Sequence, residues 1–292
     1  MAVQALPRSR TRVLTGEADG GRWELALRAP ALALRGIVAD DYCGYTERTR
    51  GPSQRRELPV PFVPVIIELA PPIRVYDYGQ ERRWSSHRGG FVAGLDGRYT
   101  LCAHDGFQHG LQVNLTPLGA RLVFGVPMAE LSGRAHALVD LLPARHRGLP
   151  GRLQELRDWD ARFDLLDAVL SDCAARARLD TRAVSWAWRR IEETGGALDI
   201  GTLTRALGYS RRHVIALFRD QVGLPPKLAS RIVRFDRLVR HLRGGGRGTW
   251  AELALEFGYY DQAHLAREVK EFSGVTPTQV RPLITDLPSL LA

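Results

Sequence analysis

The sequence predicts an α+β protein in which a β-rich barrel or sandwich is followed by helices and then by an all-α domain with two helix-turn-helix motifs. Short β-branched and aromatic runs separated by turn residues occupy residues 20–126, and helical periodicity replaces them after Pro127. A helix-turn-helix pattern then occurs twice after Thr181. These changes place three predicted domains at residues 1–126, 127–180 and 181–292.

The predicted strands are short, and several are separated by turn signals such as Asp96-Gly97 and Asp105-Gly106. They lie at residues 22–27, 63–69, 73–78, 90–93, 99–103, 111–115 and 121–124. Many short strands at this spacing are typical of a small sandwich or barrel. We therefore expect residues 1–126 to form the β-rich domain.

Two helical stretches are predicted next, at residues 128–142 and 149–179, with a linker at residues 178–182. In the second stretch, Phe163, Leu166, Leu170 and Cys173 recur at steps of three and four residues and so share one helix face. Two interpretations of this Phe163–Cys173 stripe stay open, because a stripe does not identify its partner. It packs against the β-rich domain, or it forms a dimerisation helix.

The net charge of +9 favours an anionic partner such as nucleic acid. Residues 181–292 hold 17 Lys+Arg against 11 Asp+Glu, so this smaller part carries most of the excess charge. The three cysteines are dispersed without a Cys-x-x-Cys pair, which argues against a disulfide framework or a zinc knuckle. No apolar segment follows the N-terminal arginines, and prolines interrupt the longest apolar stretch, at residues 60–73. We expect a cytoplasmic protein without a secretory signal or membrane span.

The second helix-turn-helix unit begins with an apolar face at i, i+3, i+4 and i+7. This face consists of Trp250, Leu253, Ala254 and Phe257. Gly258 is predicted to end the first helix, and a second helix starts near Asp261. The outward positions of the second helix are Gln262, Ala263, His264 and Arg267. Gln pairs with adenine and Arg with guanine in the major groove, and a small Ala leaves room for a thymine methyl group.

The first unit repeats this pattern about fifty residues earlier. Gly208 marks its turn, and Ser210 is the expected N-cap of the recognition helix. The predicted outward residues are Arg211, Arg212, Ile215 and Ala216. A long amphipathic helix between the units could place the two recognition helices about 34 Å apart, one turn of DNA. Two units in matching register are much more specific than one, so we predict DNA binding.

These residues resemble the AraC/XylS family of bacterial transcription regulators. The resemblance is closest over residues 250–281, where Gly258-Tyr259 and Gly274-Val275-Thr276-Pro277 match family elements, and is looser over residues 184–242. It implies a sequence-specific transcription regulator with an N-terminal, often cupin-like, sensor domain. In this chain Val269 replaces the usual Phe, and Ala216 replaces a long polar base-reading residue. We therefore expect the second unit to discriminate between sequences and the first to hold the register.

The N-terminal part offers few candidate site residues. The cluster Cys102, His104, Asp105 and His109 contains metal-ligand residue types, but it lacks the His-x-His pattern with a downstream Glu that metal-binding cupins use. We predict no metal and no cofactor. Aromatic and acidic residues that could line a pocket, or simply form core, are Tyr42, Tyr45, Trp84 and Glu68. No effector site is assigned from them.

The sequence as a whole predicts a regulator that binds double-stranded promoter DNA as a homodimer. RNA polymerase and a small-molecule effector are further candidate partners, and no membrane is expected. No Gly-x-Ser-x-Gly, P-loop, dinucleotide-binding or His-Glu-x-x-His motif occurs, so we predict that the protein is not an enzyme. Two alternatives stay open. One is a cupin-like metal-binding protein or enzyme with a helical interaction domain, and the other is a DNA-binding protein of low specificity.

Overall fold

The computed structural model describes residues 10–18 and 21–285, so the N-terminal Arg8 and the end of the predicted third domain lie outside the described residues. The strands of the β-rich part are as follows: β1 Arg12–Ala18, β2 Gly21–Arg28, β3 Tyr42–Arg48, β4 Ser53–Glu57, β5 Val63–Glu68, β6 Arg74–Tyr76, β7 Trp84–Ser85, β8 Phe91–Ala93, β9 Thr100–His104, β10 Phe107–Leu115 and β11 Ala135–Ala137.

These strands form two antiparallel sheets. The larger has the order β1-β2-β3-β10-β5-β8-β11, and the smaller has the order β4-β9-β6-β7. In the larger sheet, Gly110 of β10 lies opposite Tyr45 of β3 and Glu68 of β5. Residues of both sheets line one internal cavity, so the sheets face each other around it. The predicted barrel or sandwich is confirmed.

The helices are α1 Pro117–Phe124, α2 Leu138–Leu141, α3 Leu149–Glu155, α4 Trp159–Arg176, α5 Arg182–Glu193, α6 Ile200–Leu207, α7 Arg211–Gln221, α8 Pro226–Arg243, α9 Trp250–Glu256, α10 Gln262–Ser273 and α11 Pro277–Thr285. None of the helices in the described part of the chain has both the length and the apolar character needed to cross a bilayer.

Two secondary-structure predictions were wrong. Residues 121–124, predicted as a strand, belong to α1, whose start is fixed by the Thr116 side chain accepting from Gly119 N and by Pro117 at the first helical position. Residues 128–142, predicted as one helix, form a 3₁₀ helix at Met128–Leu131, then β11 and α2. Gly133 has a φ of 86°, so the chain turns there and does not continue as a helix.

The Phe163–Cys173 stripe is core. Phe163 and Leu166 on α4 are 0% and 1% exposed, and the ring of Phe163 stacks on Tyr42 of β3 at a centroid distance of 5.5 Å. Next to this contact, the buried guanidinium group of Arg28 donates hydrogen bonds to Asp164 and Asp167 of α4, at 2.8 and 2.7 Å. The interpretation that α4 packs against the β-rich part is therefore supported, and the dimerisation interpretation of this stripe is not.

The C-terminal helices share a core built around three phenylalanines. Phe218 of α7, Phe235 of α8 and Phe272 of α10 are each fully buried. The predicted apolar stripe of the connecting helix is confirmed, since all its members are buried on α8: Ile232, Phe235, Leu238, Val239 and Leu242. Gly208 adopts the left-handed conformation that was predicted to end the first helix of the first unit, with a φ of 67°.

The β-rich part and the helical part pack directly on each other. The loop after α7 approaches the 3₁₀ helix at Met128–Leu131 so closely that a Cβ on Gly223 would lie 3.0 Å from Met128 O. Arg121 of α1 also reaches Asp220 of α7 at 3.4 Å, and Ser132 Oγ donates to Gly223 O at 3.3 Å. One continuous apolar cluster includes buried residues from both parts of the chain.

The burial of Leu166 predicts a large loss of stability when its side chain is shortened. Leu166→Ala should lower the free energy of unfolding by about 2–5 kcal/mol, because it removes core contacts and leaves a cavity. Leu166→Met, which nearly conserves the volume, should cost less than about 1.5 kcal/mol. Chemical denaturation measures both. A Leu166→Ala protein that keeps its stability but changes its oligomeric state would instead favour the dimerisation interpretation.

Candidate nucleic-acid interface

The recognition helix of the first unit, α7, starts at the predicted N-cap. The Ser210 side chain accepts from His213 N at 3.2 Å and so satisfies a free amide of the first turn. Val214 and Phe218 are buried and fix the inner face of the helix. Three of the predicted outward residues are exposed, namely Arg211, Arg212 and Ala216. The fourth, Ile215, is half-buried.

The recognition helix of the second unit, α10, has Asp261 as its N-cap, whose carboxylate accepts from His264 N at 2.6 Å. Gln262, Ala263 and Arg267 are exposed, as predicted for base-reading positions. His264 is only half-exposed, and its Nδ1 accepts from Tyr260 N at 3.2 Å. The imidazole therefore supports the turn as well as facing outward.

A buried carboxylate connects α10 to the long helix α8. Glu268 is 1% exposed, and it accepts from Arg231 Nε and Arg234 Nη2 of α8, each at 2.7 Å. Arg231 also donates to Glu271 of α10 at 3.1 Å. The sequence analysis did not single out Glu268. A signal was present, since the arginines stand three residues apart on one helix and their two glutamate partners three apart on another.

A groove runs between the two units and is bordered by both recognition helices. Arg211 of α7 and Arg267 of α10 both line it, together with Lys227 from the start of α8. Among the described residues, no carboxylate lies within ion-pair distance of these three cations. The groove therefore presents unpaired positive charge on the side of the domain that carries both sets of outward residues.

Two exposed tyrosines at the interface were missed in the sequence analysis. Tyr209 and Tyr260 are 42% and 88% exposed, and each stands one residue before the N-cap of its recognition helix. The signal was their equivalent place in the repeat, 51 residues apart. An exposed phenol beside a helix N-terminus is suited to donate a hydrogen bond to a DNA phosphate.

The β-rich part encloses a cavity with a volume of about 120 Å³. Of the four residues considered for a pocket, Tyr45 of β3 lines this cavity. Glu68 lies on β5, which β10 separates from β3, and it does not itself line the cavity, although its charge acts on the cavity-lining residues Tyr45 and Cys102. Tyr42 instead packs under α4, and Trp84 is 52% exposed at the surface. The sequence analysis therefore identified one residue of the cavity wall, Tyr45.

The four residues considered as metal ligands do not come together as one group in the structure: they are Cys102, His104, Asp105 and His109. His104 Nδ1 accepts from Gly106 N at 3.3 Å, Asp105 pairs with Arg74, and the Nδ1 of His109 lies 3.0 Å from Tyr45 O. Within residues 10–18 and 21–285, no group of three or more His, Cys, Asp or Glu side chains is arranged to hold a metal ion.

Burial changes the protonation of Glu68. The side chain is 8% exposed, its Oε2 accepts from Ile73 N at 3.1 Å, and its Oε1 is buried without a hydrogen-bond partner. Loss of hydration raises the pKa of this carboxyl to about 7, and the hydrogen bond from Ile73 only partly opposes the effect.

Comparison with known proteins identifies one part of the chain. Residues 203–282, from α6 into α11, match a family model described as a helix-turn-helix domain. No curated protein matches the chain. These residues include the outward positions of both recognition helices, so the match falls on the groove described above.

Similar solved structures were found at low identity. ToxT from Vibrio cholerae is 9% identical, with 80% of this chain and 98% of that chain covered and a TM-score of 0.49. The AraC-like transcriptional activator CuxR is 18% identical, covering 81% of this chain and 88% of that chain, with a TM-score of 0.30. FeII HppE is 11% identical over 39% of this chain and 60% of that chain, with a TM-score of 0.29.

Removing the buried carboxylate of Glu268 should destabilise the protein strongly. In Glu268→Ala the guanidinium groups of Arg231 and Arg234 lose their buried partner, which we expect to cost about 3–5 kcal/mol. Glu256→Ala, at an exposed position of α9, is the control and should change stability by less than about 0.5 kcal/mol. Urea denaturation followed by circular dichroism measures both. Equal effects for the two variants would contradict the proposed importance of the ion pairs.

The raised pKa of Glu68 predicts a pH dependence of stability. The folded protein holds this proton more tightly than the unfolded chain, so the stabilisation is present at low pH and is lost as the pH rises through about 7. Glu68→Gln keeps the acceptor for Ile73 but cannot ionise, and should be more stable than wild type at pH 8 by up to about 3 kcal/mol. The difference should shrink as the pH falls and disappear below about pH 4.5, the ordinary pKa of this carboxyl group. Exposed Glu17→Gln is the control, and parallel pH profiles for wild type and Glu68→Gln would refute the assignment.

Proposed function

We propose that the protein is a transcription regulator of the AraC type that binds specific sequences of double-stranded DNA, on the premise that residues 203–282 match a helix-turn-helix domain. A helix-turn-helix domain is a DNA-binding module, not a catalytic one. The observation that carries the proposal is the shared groove. Both recognition helices border it, and their unpaired cations Arg211 and Arg267 face the same side of the domain.

The two units have different tasks in this proposal. On α10, exposed Gln262 and Arg267 offer side chains that form paired hydrogen bonds with adenine and guanine edges, and Ala263 leaves room for a thymine methyl group. On α7, half-buried Ile215 and small Ala216 offer no polar group to base edges. The first unit then depends on Arg211 and Arg212, whose contacts with phosphates position the protein on the duplex.

We place an effector in the cavity of the β-rich part. The strand β4 supports this assignment because its neighbouring side chains contact both the cavity and α10. Arg55 and Glu57 line the cavity, and Arg56 donates a hydrogen bond to Ser273 O at the end of α10, at 3.0 Å. Arg56 also stacks on Tyr99, with its guanidinium carbon 3.9 Å from the ring centroid. A ligand that moves β4 would thus alter the support of α10.

The proposal retains a homodimer and a contact with RNA polymerase as partners. The surface that supports the dimer is the edge strand β1, which among the described residues pairs only with β2 and exposes Val13 and Leu14. The α4 stripe is not part of this interface, because it is buried within one chain.

Loss of the Arg267 side chain tests the direct reading of bases. Sites bound by the protein are first selected from genomic DNA, and affinities of wild type and Arg267→Ala are then compared at fixed salt by mobility shift. If Arg267 pairs with a guanine, we expect a loss of about 1–3 kcal/mol on the selected site and relaxed preference at one base pair. Arg189→Ala, an exposed change on α5 away from the groove, should leave both unchanged.

Two other outcomes would correct the proposal. A uniform loss over all DNA sequences would make Arg267 a phosphate contact. Equal affinity of the wild-type protein for selected and random DNA at the same salt would show a DNA-binding protein of low specificity.

A further inference from the structure

The cavity between the sheets has an apolar region large enough for the body of a small organic ligand. Its wall contains aromatic and aliphatic side chains from both sheets and their connections: Phe62, Ile66, Ile73, Val75, Tyr78 and Phe91. Burying a hydrocarbon or aromatic group against them is favourable, by roughly 25 cal/mol per Å² of apolar surface.

The cations near the cavity are already paired. Arg55 donates to buried Glu47, and Arg98 binds Asp96 at 2.9 Å. Arg243, at the end of α8, faces Glu57: burial raises the pKa of Glu57, and the charges of Arg55 and Arg243 oppose this effect. An anionic ligand would therefore find no cation without a carboxylate partner among the described residues around this cavity.

One carboxyl group remains without a cation. Glu68 does not itself line the cavity but adjoins residues of its wall: its carboxyl group accepts from Ile73 N, and its charge adds to burial in raising the pKa values of Tyr45 and Cys102, and all three of these residues line the cavity. Its Oε2 has the Ile73 amide as a partner, while its Oε1 is buried and unpartnered. A buried polar atom without a partner is costly and is normally satisfied by a ligand, an ion or a water molecule.

We propose that this cavity binds an amphipathic amine whose ammonium group pairs with Glu68 and whose apolar body lies against the aromatic and aliphatic wall. An ammonium supplies both the missing positive charge and the hydrogen-bond donor that Oε1 lacks. The faces of Tyr45, Tyr78 and Phe91 add attraction for a cation and for an aromatic ring. The identification of this amine as the effector rests on the proposed function, whereas the binding site itself does not.

The test uses the full chain and probes that differ in one functional group. Phenethylamine, 2-phenylethanol and 3-phenylpropanoate are titrated at pH 8 by isothermal calorimetry, with octylamine as a second amine of different shape. We expect the amines to bind at least about tenfold more tightly than the alcohol, a difference of about 1.4 kcal/mol in binding free energy. The carboxylate should not bind. Glu68→Gln should lose this tenfold advantage and keep the affinity for the alcohol.

Two further variants separate the site from general effects. Glu17→Gln, an exposed change on β1, should bind the amines as wild type does. Ala93→Leu adds carbon atoms to the cavity wall and leaves Glu68 in place. It should weaken the binding of both the amines and the alcohol. Absence of amine binding at about 1 mM, preference for the carboxylate, or amine binding unaffected by Glu68→Gln would each overturn the proposal.

A mobility shift on selected DNA, with and without phenethylamine, keeps the two proposals distinguishable. A change in DNA affinity that disappears in Glu68→Gln supports the amine as effector. Amine binding with unchanged DNA affinity would overturn the effector role and leave the site. Failure of specific DNA binding without any ligand would instead overturn the proposed function, whatever the calorimetry shows.

Discussion

The ion pairs of Glu268 are the interaction on which the DNA-binding part depends. An ionised carboxylate that is 1% exposed is tolerated only with paired charges and satisfied hydrogen bonds, and Arg231 and Arg234 provide both from one face of α8. The same arginines lie over the rings of Phe272 and Tyr259, at 4.8 and 4.4 Å from their centroids. The orientation of α10 is therefore fixed against α8.

The two recognition helices have different supports. α10 is held by charge on α8, while α7 packs against the 3₁₀ helix at Met128–Leu131 and reaches Arg121 through Asp220. The two helices therefore differ on their inner faces as well as on their outward faces. The unit proposed to read bases is held by α8 and, at the end of α10, by Arg56 of β4, whereas the unit proposed to contact mainly phosphates is held by Arg121 and the 3₁₀ helix at Met128–Leu131.

Sequence patterns predicted the features that depend on local chemistry. The Ser210 cap, the left-handed Gly208 and the stripe of α8 follow from spacing and backbone geometry, and the structure confirms them. The strand predicted at residues 121–124 was wrong because a β-branched and aromatic run carries no information about the Thr116 cap that starts a helix before it.

The parts of the site that were missed depend on contacts between distant segments. Glu268 is 37 residues from Arg231, and the partner of Arg56 is 217 residues away. The three-residue spacing of the arginines and of the glutamates is visible in the sequence, but it does not show that the two pairs face each other. Likewise, the position of Glu68 next to the cavity wall follows from the register of β5 against β10, which only the assembled sheet defines.

The continuous apolar cluster that joins the β-rich part to the helices has a thermodynamic consequence. Because one apolar cluster of the described residues has members from both parts, the two parts should lose their structure in one cooperative transition. Any molecule that binds only the folded cavity then raises the melting temperature of the DNA-binding helices as well, by mass action. Occupancy of the N-terminal part and the lifetime of the folded C-terminal part would be linked even without a change of shape.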